Sequence, residues 1–186
     1  MNMKVKMLLA GGIIASQMSF AVNAESLNYS GTVTVEKGTC TFSLGNTLTY
    51  QFNEVTPVQV LDAKTEVVQS FKVTNCAGAT SIRLKLKGDS KQTITGLYAG
   101  TWIVPAPGTG KASGMAYKTE LKFGAAETDG TYQVLNVDGT GVLIGTTDPA
   151  GVFVNIRATL VPTVSTLAAM TSGNMDATAT IEVVYP

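Results

Sequence analysis

The sequence predicts an all-β protein, an antiparallel sandwich of short strands. Three observations lead there. Apolar and polar residues alternate with period two in stretch after stretch between Leu27 and Tyr185, as strands buried on one face require. Pairs rich in Gly, Asn, Asp and Pro punctuate those stretches at short intervals. No segment sustains a helical period beyond about two turns, the best being Val60 to Val68.

The strands follow in order. Leu27, Tyr29, Gly31, Val33 and Val35 share one parity, with Asn28, Ser30, Thr32, Thr34 and Glu36 on the other. Leu48, Tyr50 and Phe52 alternate next, then Phe71, Val73 and Asn75. Ile82, Leu84 and Leu86 alternate with Arg83, Lys85 and Lys87. Further strands are expected at Tyr117 to Phe123, Tyr132 to Val137, Val142 to Ile144 and Val152 to Val161. The last puts Ala177, Ala179, Ile181, Val183 and Tyr185 on one face. Gly45-Asn46, Gly88-Asp89, Asp129-Gly130, Asp138-Gly139 and Asp148-Pro149 read as turns. The Pro/Gly-rich stretch Pro105 to Gly114 reads as a long surface loop, with no internal repeat or linker to a second domain.

Composition narrows the function. The chain has 186 residues, 13 basic and 13 acidic side chains and no histidine, and 14% of it is charged. That balance excludes a highly charged disordered chain and a coiled coil. It also argues against nucleic acid as a partner, because counterion release needs a basic surface. Without histidine the commonest general base and metal ligand are missing.

Residues 1–24 read as an export signal. Lys4 and Lys6 form its positive region, Met7 to Ala15 its apolar run, and Val22-Asn23-Ala24 its cleavage site. The apolar run is too short to span a bilayer. The expected mature chain starts near Glu25 and is slightly acidic. Export favours joining Cys40 and Cys76, the only two cysteines, in a disulfide worth roughly 4 kcal/mol on the chain-entropy view. A metal site would need histidines or further cysteines, so neither a metal nor a cofactor is expected.

Other motifs carry less chemistry. Gly108 to Gly114 resembles a phosphate loop, but Ala112 stands where such a loop needs Ser or Thr. Asn136 to Gly141 hints at a calcium loop, but the bidentate acid expected near Thr147 is absent, though Asp148 is adjacent, and a hairpin turn is the competing reading. Arg83, Lys85 and Lys87 form a basic stripe able to meet an acidic partner, or simply a solvated strand face. Tyr98 and Trp102 flank Gly100 and are candidate glycan contacts, with a core tryptophan as the competing reading. Asn28-Tyr29-Ser30 fits a glycosylation sequon, a frequent pattern. No serine has a histidine to activate it, and no Ser-x-x-Lys occurs. An enzyme is not expected.

The two outermost strands are the informative ones. Both are apolar, and nothing in the sequence covers their edges, which sandwiches normally blunt. Exchange of strands between molecules is the economical expectation. At this point the sequence resembles the pilin subunits of chaperone–usher fimbriae, especially the type 1 group. The resemblance rests on the alternating segment with central Gly31 ahead of Cys40 and on Phe71-Lys-Val73-Thr-Asn-Cys76. It also rests on Gly173, fourteenth counting back from Pro186, and on Tyr185 after the alternation of Ala177 to Val184.

That resemblance implies an incomplete immunoglobulin-like sandwich, residues 37–186, completed by a donor strand from a neighbouring subunit. Residues 25–36 would be the donor extension, with Leu27, Tyr29, Val33 and Val35 as knobs and Gly31 where the groove is shallow. Gly173, Ala179, Ile181, Val183, Tyr185 and Pro186 would border the groove and bind a periplasmic chaperone. An outer-membrane usher and neighbouring pilins would be the other partners, and the surface fimbria the location. The alternatives are a self-contained secreted sandwich and a single-domain adhesin or carbohydrate-binding module using Tyr98 and Trp102.

Overall fold

The structure is a computed structural model, and it describes residues 28–35, 40–43, 47–52, 56–63, 65–106, 108–173, 175 and 177–186. The expected export signal and Leu27 lie outside the described residues. Among the described residues twelve strands and one α-helix follow in chain order, with short 3-10 helices at Gly96–Tyr98 and Leu167–Ala169: β1 (Asn28–Val35), β2 (Thr41–Phe42), β3 (Thr47–Gln51), α1 (Pro57–Leu61), β4 (Glu66–Thr74), β5 (Ser81–Lys87), β6 (Lys91–Ile94), β7 (Gly100–Ile103), β8 (Met115–Gly124), β9 (Gln133–Val134), β10 (Val142–Gly145), β11 (Val152–Pro162) and β12 (Ala177–Val184). They form two sheets in a sandwich-like arrangement. The first runs β10-β5-β12-β1-β3 and the second β2-β4-β11-β8-β7-β6, with β9 on β8.

Alternation explains how the sheets face each other. On β5, Ile82, Leu84 and Leu86 have no exposed surface, while Arg83, Lys85 and Lys87 point the other way. Across the core lie Phe71 and Val73 of β4, Tyr117 and Leu121 of β8, and Val154 and Ile156 of β11. Tyr117 packs on Phe52 with ring centroids 5.6 Å apart.

Since Tyr117 and Leu160 face the main core, Ala116 and Val161 face outward from the second sheet. There they make a satellite core with Trp102, which is fully buried. Farther along the same outer face Glu120 is buried between Lys118 (2.8 Å) and Arg157 (2.7 Å), and Arg157 also reaches Glu66 (3.3 Å). The Arg157 guanidinium stacks 3.9 Å over the Tyr132 ring. Burial pushes the Glu120 carboxyl up, and the hydrogen bonds and charges of Lys118 and Arg157 more than reverse that, holding it below the usual carboxylate range.

Three local differences from the expected pattern have physical causes. The helix lies earlier than Val60 to Val68. Thr56 caps it, its hydroxyl accepting from Gln59 N while Gln59 Oε1 accepts from Thr56 N at 2.8 Å, and Pro57 opens the first turn. It ends at Asp62, where Ala63 turns left-handed at φ 47°, and Glu66 to Val68 pair with β11 instead. The β6–β7 hairpin was not expected, because Lys91 to Thr93 are all exposed and carry no alternation. The stretch Tyr132 to Val137 holds only the two-residue β9, because its backbone changes partner as it crosses between sheets. Leu135 N donates to Thr119 O, Val137 N to Thr101 O and Asp138 N to Leu86 O.

Two predictions follow from this packing. The Thr119 hydroxyl is buried in the core and has no hydrogen-bond partner among the described residues. Replacing it with a methyl of the same shape removes that cost, so Thr119→Val raises stability by about 1 kcal/mol, read as a later urea midpoint at unchanged slope. Glu120 is worth most when ionised. Its lowered pKa contributes stability above the unfolded value, and that stability is lost as pH falls through the folded one. Glu120→Gln therefore costs about 1–2 kcal/mol at pH 7 and flattens the acid limb of a melting-temperature profile below about pH 4.

Candidate functional site

The candidate site is the slot in the first sheet between β12 and β3. β12 pairs antiparallel with β5, placing Ile181 beside Leu86 and Val183 beside Leu84. Its alternation buries Ala177, Ala179, Ile181 and Val183 in the main core. Its other edge is taken by β1, which runs parallel to it, while β1 runs antiparallel to β3. Among the described residues this is the one parallel ladder between named strands, in sheets that are otherwise antiparallel.

The register fixes the phase of β1. Tyr29, Gly31, Val33 and Val35 stand beside Ala177, Ala179, Ile181 and Val183, and Ser30, Thr32 and Thr34 beside Thr178, Thr180 and Glu182. Gly31 is thus paired with Ala179 on one side and Leu48 on the other. Without β1, one edge of β12 and the facing edge of β3 would lose their ladders. Each ladder hydrogen bond contributes about 0.5–1.5 kcal/mol net, and a buried backbone group left unpaired costs more.

The two ends of the slot are anchored differently. At one end Cys40 is bonded to Cys76, just past β4. Tyr185 packs there against the core, with its hydroxyl buried beside the Cys40 backbone. Burial pushes the Tyr185 phenol above its ordinary pKa, the nearby Cys40 backbone opposes this, and no described group completes a hydrogen bond of normal geometry. Pro186 is exposed. An open cavity of about 670 Å³ lies beside this disulfide, lined by residues 73–80 and 146–149. Its one carboxylate, Asp148, accepts from Ala150 N at 2.8 Å and closes a local turn.

At the other end the stretch 108–114 folds onto the chain that leads into β12. Ser113 and Thr171 exchange two backbone hydrogen bonds of 3.2 Å, and their hydroxyls meet at 2.7 Å. Gly173 lies against this loop so closely that a Cβ would come 2.5 Å from Gly110 O and 2.7 Å from Ala112 N. Its glycine is required by backbone approach, a signal absent from spacing alone. The Tyr117 hydroxyl donates to Met175 O, tying β8 to the same segment. Sequence reasoning placed Tyr117 on a strand and had no means to find that partner.

The other singled-out residues do not assemble a chemical site. Trp102 has no exposed surface, its Nε1 donates to Tyr98 O at 2.8 Å, and its ring fills the space over Gly100. Tyr98 is half-buried beside it. As candidate glycan contacts the pair is therefore corrected, because the indole has no face to offer a sugar. Asn136 Oδ1 accepts from Thr101 N at 2.8 Å, and the Asp138 carboxylate is held by Lys91 and, at 3.9 Å, by Lys87. Among the described residues no group of three or more metal-ligating side chains converges.

Gly173→Ala is expected to push the 108–114 loop off its seat. Overpacking of this kind costs about 1–3 kcal/mol. The result should be a lower melting temperature and faster tryptic cleavage after Lys111. An unchanged cleavage rate would separate Gly173 from the loop.

No protein-family model matches the chain, and no curated protein matches its sequence.

Proposed function

We propose that this chain is a structural subunit of a chaperone–usher type pilus, polymerising when the β1 segment of one copy fills the slot between β12 and β3 of the next. The observation that carries the reading is the place of β1. It is an interior strand of its sheet, and its ladder to β12 is the one parallel ladder between named strands among the described residues. On this reading, removal of the export signal leaves only a short segment ahead of it, and the strand can leave without unthreading anything. The disulfide at Cys40 would keep the rest of the chain attached to the sandwich as it goes.

Strand exchange conserves the ladders, because the incoming segment has the same sequence as the outgoing one. Because β12 and β3 run antiparallel to each other, any strand between them has one parallel and one antiparallel neighbour, so an incoming strand can enter in either direction at nearly equal cost. The contact is heterologous and does not close, so it propagates as a filament. In this reading the body is an immunoglobulin-like sandwich lacking one strand. Gly31 stands beside Ala179 in register and marks where the groove would be shallow, with Leu27, Tyr29, Val33 and Val35 as the knobs. Residues 1–24 direct export, and a periplasmic chaperone covers the slot along Ala179 to Val183 until an outer-membrane usher exchanges it for the next subunit. Tyr185, Pro186 and Gly173 border that surface.

A second reading is a self-contained secreted sandwich, and the pairing of β1 with its own β12 favours it. A carbohydrate-binding module has lost its principal support with the burial of Trp102.

Peptide complementation separates the readings. The oxidised chain lacking residues 25–36 is melted with and without a synthetic 25–36 peptide. Strand exchange predicts an unstable truncation, a rise of ten degrees or more in melting temperature with peptide (about 3–5 kcal/mol for a domain of this size), and no rise with a Gly31→Val peptide. A truncation already stable and indifferent to peptide would identify a self-contained sandwich.

A further inference from the structure

We infer that the outer face of the first sheet is a docking surface for a linear anionic polysaccharide, gripped by the row Arg83, Lys85 and Lys87. β5 lies inside the sheet, between β10 and β12, and its inward residues are locked in the core. The three cations therefore stand in line on a fixed backbone, about 7 Å apart and about 14 Å from end to end. No acid interrupts the strand.

The acids among the described residues leave the row largely uncompensated. Glu182 stands beside Lys85 in register, but the two form no ion pair within 4.0 Å. Asp138 touches only the far end of the row, reaching Lys87 at 3.9 Å while it is held closely by Lys91. Asp89 lies in the turn past the end of β5. The Arg83 guanidinium is directed by a 3.4 Å bond to Thr140 O.

The surroundings select the kind of polyanion. The outward positions of the flanking strands are Thr180, Glu182 and Val184 on β12 and Leu143 and Gly145 on β10, and none is aromatic. A neutral sugar ring or a nucleic-acid base would look for an aromatic platform. A flat, regularly spaced cation row fits carboxylate or sulfate groups repeated along an extended chain. Each exposed pair contributes little, so one protein molecule binds weakly and many copies on one glycan bind by avidity. The row does not depend on the pilus reading, although a fibre would repeat it once per subunit.

The test measures retention of the oxidised chain on immobilised heparin (sulfate) and on polygalacturonate (carboxylate) over a range of NaCl, with dextran and single-stranded DNA as comparison surfaces. Retention is expected on an anionic glycan and not on dextran, and the stronger of the two identifies the anion. Lys85→Gln/Lys87→Gln should lower the slope of log affinity against log salt by about 1 per lysine, and Lys85→Arg/Lys87→Arg should restore it. Lys72→Gln/Lys122→Gln removes two cations from the other sheet, where they lie over Phe153 and Tyr132, and should leave the slope unchanged. Equal losses from both Gln pairs, equal retention on DNA, or no retention at about 50 mM salt would overturn the inference.

Discussion

The structure depends on pairing both edges of β12. This strand forms part of the core wall through Ala177, Ala179, Ile181 and Val183, and a wall strand inside a sheet cannot leave its backbone groups unpaired without a large cost. One edge is satisfied by β5, a permanent neighbour deep in the sequence. The other is satisfied by β1, and through β1 the ladder passes to β3. Everything on that side of the first sheet is therefore conditional on a single strand at one end of the described chain.

The ends of β12 are built to tolerate that condition. Near its start the loop 108–114 is seated on Gly173 and bridged through Ser113 and Thr171, while Tyr117 reaches across from the second sheet to Met175. Near its finish Tyr185 wedges against the core beside Cys40, and Cys40 is fixed to Cys76. Each of these anchors joins residues outside β1, so the strand that carries the slot wall has ties at both ends besides its ladder to β1.

Much of this was legible in the sequence because period two is a local signal. The phases of β5, β8, β11 and β12 follow from their alternation, and the cysteine pair needed only the count of cysteines. What escaped was set by distant partners. Gly173 was noticed for its spacing, but its physical reason is the backbone of residues 110–112, sixty positions away in the chain. Trp102 was expected to be either core or sugar platform, and it belongs to a satellite core outside the second sheet that no pattern in the sequence announces. The Tyr132 to Val137 stretch alternates like a strand, yet its hydrogen bonds go to three different strands. The helix followed its cap at Thr56 rather than the apolar spacing around Val60, since Val67 and Val68 were claimed by β11.

The pairing of β1 with its own slot constrains how exchange can work. A strand joined to its own slot by a short flexible link competes at an effective concentration in the millimolar range, far above that of free copies in solution under the proposed reading. Because the exchanged strand is identical in sequence, the ladders gained and lost nearly cancel. Self-closure would then win over polymerisation on concentration alone, unless contacts between subunit bodies tip the balance. Even so, the self-closed chain must open the whole of β1 before a neighbour can enter, which places a barrier of unpaired ladder in the path. A polymerising subunit of this design therefore needs its slot occupied by something else from the moment it folds. On the proposed reading, a strand-lending chaperone would meet that requirement.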